Sequence, residues 1–253
     1  MIKIDFDINN TGNRIIQVLF GYILSEKKNM NLTFDQIRGF SKLKNILDKE
    51  NKNYNFINTR SFGDQNVDYD LLLNHDGGIL INSYLQRIDF YLEKNKLKFL
   101  IEPDEKTDIK LSNKDIVIHV RLGDYFSGGV NIPFEIYDNF IKENIELYDR
   151  FIILTDDINS EIIKKLLNNK KTELIHQNKF KDFDLLRNSK NTLISQSSFS
   201  WLATYFGESE IIYVPIPENN NTKSMWKKNP NYDDIFLVDE NIDSRYKIIN
   251  YNK

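Results

Sequence analysis

The chain has 253 residues, with 34 Lys and Arg against 37 Asp and Glu and a formal net charge of -3. That length supports one large domain or two small ones, and the near-even charge gives no electrostatic ground for nucleic acid or an anionic membrane as the main partner. Cysteine is absent, and the three histidines, His75, His119 and His176, show no metal-ligand spacing, which excludes disulfides and thiolate metal sites and argues against a structural metal.

Residues 2–8 read as a strand and 9–13 as a turn cluster. Arg14 to Lys27 read as a helix, because Ile15, Ile16, Leu19, Phe20, Ile23 and Leu24 recur at helical spacing. Residues 32–50 read as helix, 78–83 as a strand and 84–100 as an amphipathic helix. Residues 101–114 are charged, contain Pro103 and lack long apolar runs, as a linker between two α/β halves would. A second series then begins. Ile116 to Val120 is a strand buried on both faces, 134–148 a helix and Phe151 to Leu154 another buried strand. Residues 160–169 are a helix with Ser160 as N-cap. Thr192 to Ile194 is a strand, Phe199 to Phe206 a helix, and Ile211 to Val214 a last strand ending at Pro215. This alternation predicts an α/β fold with parallel sheets, whose ligands sit beyond the carboxyl ends of the strands. Residues 1–30 lack the apolar run of a signal peptide, and no stretch approaches the roughly 18 apolar residues of a membrane span. The expected compartment is the cytosol.

Four clusters carry candidate chemistry. His119-Val120-Arg121-Leu122-Gly123-Asp124-Tyr125 follows a buried strand. Arg121 there can grip two phosphate oxygens, or pair with Asp124 to close a turn. Thr155-Asp156-Asp157 ends the next strand, where the carboxylates can face a purine edge, cap the following helix or hold a metal. Ser195 to Trp201 opens a helix, so Ser197, Ser198 and Phe199 form either an anion site or a serine-rich cap. Gly12-Asn13-Arg14 with Gln17 lies at the first strand-to-helix turn and either presents polar groups to a cleft or is a plain glycine loop.

Order and spacing add what the separate clusters lack. Gly12 to Gln17 resembles the opening Gly-Asn-Gln-x-x-Gln motif of the α-1,2-fucosyltransferases, and Tyr84-Leu85-Gln86 with Phe90-Tyr91 is similar to their Tyr-Phe-Gln segment. His119 to Tyr125 resembles their His-Val-Arg-Arg-Gly-Asp-Tyr motif, and Thr155-Asp156-Asp157 their Ser-Asp-Asp. Asp182-Phe183-Asp184-Leu185-Leu186 with Ser197 to Trp201 resembles their last motif. Pro215, Pro217 and Trp226 fit the tail.

The resemblance, to glycosyltransferase family 11, implies the GT-B arrangement of two Rossmann-like domains facing a central cleft: 1–112 on the acceptor side, 113–253 binding the GDP-sugar. It implies an inverting, metal-independent transfer of fucose from GDP-fucose to a hydroxyl of an oligosaccharide or lipid-linked glycan, the latter compatible with peripheral membrane association. No cofactor is expected. Arg121, His119 and Asp124 are the implied catalytic set, with Asp124 the nearest candidate for a base. Asn13, Arg14, Arg121, Asp156, Asp157, Ser197, Ser198 and Phe199 are the implied donor-binding set, in which Arg121 meets the β-phosphate, Asp156 or Asp157 the guanine, and Ser197 to Phe199 the diphosphate. Three positions depart from the motifs. Leu122 stands where the second arginine would, Arg14 replaces glutamine, and Arg87 replaces a small polar residue. Leu122 keeps a transferase of another GDP-sugar open as the alternative, beside an inactive nucleotide- or carbohydrate-binding protein.

Overall fold

The computed structural model describes residues 1–6, 10–49, 55–62, 67–123, 131–218, 226 and 237–252. Its first half builds a parallel sheet from β1 (Ile2–Ile4), β2 (Leu32–Thr33), β3 (Phe56–Asn58) and β4 (Gly78–Ile81), in the order β2-β1-β4-β3. Between β1 and β2 runs α1 (Thr11–Lys28), which buries Ile15, Ile16, Leu19, Phe20 and Leu24 against the sheet side of the chain. Its end is written locally. Asn29 takes a left-handed φ of 50°, its N–H returns to the last turn, and Lys27 and Lys28 complement the negative end of the helix dipole. The short helices α2 (Tyr69–Asn74) and α3 (Lys94–Leu97) complete this half.

The second half is a six-stranded parallel sheet made of β5 (Asp115–Val120), β6 (Arg150–Thr155), β7 (Thr172–Leu174), β8 (Asn191–Leu193), β9 (Ile211–Pro217) and β10 (Tyr246–Tyr251), in the order β10-β9-β8-β5-β6-β7. All six residues of β5 are buried, as its continuous apolar run requires of a central strand covered on both faces. The connecting helices are α4 (Phe134–Glu143), α5 (Glu161–Leu166), α6 (Lys179–Asn188) and α7 (Ser198–Tyr205). Ser160 caps α5 by accepting the Ile162 N–H. Among the described residues no helix is long and apolar enough to cross a membrane.

The mixed α/β architecture with parallel sheets is as expected. Two segments are not. Residues 32–49, the described part of the stretch expected as helix over 32–50, are not a helix: after β2 the chain runs irregularly, with an isolated bridge between Leu32 and Ile46. Phe34, Ile37, Phe40 and Leu43 are all buried, but they reach the core from turns. Gly39 sits at φ 81° and lies against the Phe180 ring, a backbone position that a continuous helix cannot contain. Residues 84–100 are not one helix either. Leu85 has φ 55°, a 3-10 turn covers Ile88–Tyr91, and α3 supplies a single turn. The expectations for residues 7–9, Asp124 and Tyr125 lie outside the described residues.

Candidate active site

Five chain segments meet around one cavity of about 400 Å³. Four of them follow strands β5, β6, β7 and β8 at their carboxyl ends, and the fifth is the turn between β1 and α1. This is where a parallel α/β sheet leaves strand ends and helix starts uncovered for a ligand.

Arg121 follows β5 directly and lies on the cavity wall. Its Nη1 pairs with Asp156 Oδ2 at 2.8 Å. Asp156, at the end of β6, also accepts the Leu122 N–H (2.8 Å) and the Gly123 N–H (3.1 Å). Asp156 therefore fixes the turn that carries Arg121, with both of its oxygens engaged. Asp157 points elsewhere: its Oδ1 accepts the Asn159 N–H at 3.1 Å in a local turn. Neither aspartate caps α5, a task that falls to Ser160.

His119, the residue before Val120 in β5, is buried on the cavity wall, with Nδ1 2.6 Å from Ser195 Oγ and its ring tilted 32° to Phe199. Burial, aided by the Arg121 charge, pushes its pKa down to about 3. The imidazole is thus neutral at working pH and acts as a hydrogen-bonding group, its tautomer coupled to the Ser195 hydroxyl.

Ser197, Ser198 and Phe199 line the cavity at the start of α7. Ser197 occupies the N-cap position without a side-chain cap bond, and Asn10 does the same at α1. The two helix starts touch. A Cβ on Gly12 would lie 2.5 Å from Ser198 Oγ and 2.8 Å from the Phe199 nitrogen, so only glycine allows this approach. Two sets of first-turn N–H groups, each at a positive helix end, thereby border one cavity.

Not every expected donor residue reaches the wall. At the first turn the wall is made by Asn10, Thr11 and Gly12, not by the expected Asn13 and Arg14. Asn13 is buried and accepts the Gln86 amide at 2.8 Å, while Gln17 donates to Ser83 O, so these motif polar groups tie α1 to the segment after β4. Arg14 lies over the Phe6 ring at 5.2 Å. Sequence reasoning missed His176, Gln177, Lys179 and Asp182 on the wall. The signal for Asp182 was present in the Asp-Phe-Asp motif, whose two acids divide. Asp184 is buried and accepts the Thr107 N–H (3.0 Å), whereas Asp182 faces the cavity with a buried Oδ1 lacking a hydrogen-bond partner. Burial raises the Asp182 pKa to about 7, an effect eased by Gln177. Among the described residues, no three His, Asp or Glu side chains gather as a metal site.

A parallel α/β scaffold with an arginine and helix starts at the strand ends offers groups that can hold an anion. Residues 81–237, more than half of the chain, match the family model described as Glycosyl transferase family 11. The chain belongs to that fucosyltransferase family and is a glycosyltransferase, which implies a nucleotide-sugar donor and a glycan acceptor. Comparison with curated proteins and with solved structures gave no match.

Proposed function

We propose that this enzyme transfers fucose from GDP-fucose to a glycan hydroxyl, with inversion, in α-1,2 linkage and without a metal ion. The halves 1–112 and 113–253 act as the acceptor and donor sides of a GT-B cleft. The observation that carries the reading is the convergence of Arg121 with the starts of α7 and α1 on one cavity. Negative charge grows on the β-phosphate as the sugar–phosphate bond breaks. Arg121, oriented by Asp156, and the N–H groups of α7 stabilise it, a kind of fixed donor worth about 2.7–4 kcal/mol of barrier each. Neutral His119 adds a hydrogen bond, and Asp124 takes the acceptor proton.

Guanine recognition needs a carboxylate for its N1–H and N2–H. Asp156 is committed to Arg121 and two amides, and Asp157 to its own turn. Among the described residues, Asp182 is the wall carboxylate that no cation pairs with, and we assign it that role in place of the other two. A second reading, a different GDP-sugar donor, is favoured by Leu122, which is buried in the core and brings no charge to the cavity.

The test is GDP release from a panel of GDP-sugars, each with acceptor, with and without EDTA. GDP-fucose should give the fastest turnover and EDTA should leave it intact. Preference for another sugar would overturn the donor assignment, and loss in EDTA restored by Mn²⁺ would overturn the metal-free mechanism.

A further inference from the structure

Lys179 occupies the first position of α6, where the positive end of the helix dipole disfavours a cation. The helix does not need it, since Asn178 Oδ1 already caps the first turn by accepting the Phe180 and Lys181 N–H groups. The side chain is exposed rather than packed into the core. It lies on the cavity wall instead, against the start of α1. Nζ donates to Thr11 Oγ1 in the first turn of α1 at 3.2 Å and passes 5.2 Å from the centre of the Phe180 ring. Among the described residues, no carboxylate pairs with it.

The charges on the wall are therefore unequal. Arg121 is held by Asp156, which offsets part of its charge. His119 is neutral, and the neighbour of Arg121 is the apolar Leu122. Lys179 alone among the described Lys and Arg of the wall carries its charge against a mere hydroxyl. A nucleoside diphosphate brings at least two negative charges, more than one arginine already paired with Asp156 offsets. An ammonium on a flexible four-carbon stem can turn from a hydroxyl to a phosphate oxygen without disturbing the fold.

We propose that Lys179 is a donor-phosphate ligand, the second cation of the site, which leaves Thr11 to bind the diphosphate of the nucleotide sugar together with Arg121. This rests on the nucleotide-sugar reading of the cavity. The contrary account is that Lys179 only ties the α6 start to the α1 start.

The experiment is equilibrium binding of GDP and of guanosine to the wild type, Lys179→Met, Lys179→Glu and Lys179→Arg, with a melting curve for each. Lys179→Met should weaken GDP roughly 10- to 100-fold, the scale of one lost charge-assisted hydrogen bond, and leave guanosine within about twofold. Lys179→Arg should recover most of the GDP affinity. Lys179→Glu separates binding from folding, because an acid at a helix start favours the helix. It should melt no lower than the wild type yet bind GDP more weakly than Lys179→Met. GDP affinity unchanged in Lys179→Met, or GDP and guanosine weakened alike with a lowered melting temperature, would overturn the proposal. A wild type that binds no GDP would instead overturn the donor reading beneath it.

Discussion

Asp182 titrates near pH 7 because its carboxylate is taken out of water without a compensating cation; its pKa is raised to about 7. The ionised form is the one that can accept from guanine, so guanosine binding should strengthen as pH rises through about 7 and level off above it. Below that point the slope should approach about tenfold per pH unit, the release of one proton on binding. Guanosine is the probe because it carries no titrating phosphate. Asp182→Asn should bind weakly and without this slope, and a flat wild-type profile between about pH 6 and pH 8 would remove Asp182 from guanine recognition. The same shift has a cost for the fold. The folded state holds the Asp182 proton to higher pH than the unfolded chain does, so this group's contribution to stability falls as pH rises from the ordinary carboxylate range to about 7. Glu102 has the opposite sign. Its bonds to Lys42 and Lys106 lower its pKa to about 2, and that stabilisation is lost as pH falls through the acid range. At this scale the sequence was informative wherever chemistry sat at the end of an apolar strand. His119, Arg121 and Asp156 are on the wall because β5 and β6 end there. It says nothing of Lys179, and it marks the Asp182–Asp184 pair without telling the two apart, since what distinguishes them is which side of α6 meets the cavity and which meets Thr107.

Between elements, the tightest constraint on the site is the contact of α1 with α7. Gly12→Ala should force the two helix starts apart, because the nearer obstacle, Ser198 Oγ, can rotate away but the Phe199 backbone nitrogen cannot. Overpacking of this kind costs about 1–3 kcal/mol. The expected result is a lower urea midpoint together with weaker GDP binding. A variant with wild-type values for both would show that the helix starts yield without consequence to the site. The elements that sequence predicted well are those whose signal is local: β5 and β6 as unbroken apolar runs, α5 with its Ser160 cap, and α1 with its buried stripe. Residues 32–50 failed for a physical reason. Phe34, Ile37, Phe40 and Leu43 repeat every three residues, which imitates a helix face. Side chains hold the segment in place instead: Asn45 Oδ1 accepts the Phe34 N–H, Tyr22 OH bonds to Lys44 O, and Asn31 bonds to both the N–H and the carbonyl of Lys49. Such long-range ties leave no mark on periodicity. The edge strands β3, β7 and β10 carry no signal of their own and β2 lies inside the stretch that reads as helix, because two to six residues beside a neighbour's backbone are defined by that neighbour.

Over the whole molecule, the two sheets are less independent than two domain boundaries would suggest. One continuous apolar cluster contains Ile2 and Ile79 from the first sheet and Val117, Ile152 and Ile212 from the second. Among the described residues, the far face of the second sheet, with Ile116, Ile118, Phe151 and Ile153, forms a separate cluster. Aromatic contacts cross between the halves: Phe40 meets Phe183 edge-on at 5.2 Å, and Tyr91 meets Trp201 at 5.9 Å. Polar bonds cross as well, one buried and one partly buried. Tyr205 OH donates to Tyr91 O at 3.1 Å, and Arg187 Nη2 donates to Lys98 O at 3.3 Å. Separating the halves would expose these rings and strip both bonds, so neither half should be stable alone. The expectation is one cooperative unfolding transition, with calorimetric and van't Hoff enthalpies agreeing to a ratio of about one. GDP should raise that single transition as a unit, by about 2.7 kcal/mol at a concentration of 100 times its Kd, because its cavity takes walls from the start of α1 as well as from the second sheet. Two resolved transitions in scanning calorimetry, with only the later one moved by GDP, would show that residues 113–253 hold the nucleotide by themselves and that the shared core does not couple the halves.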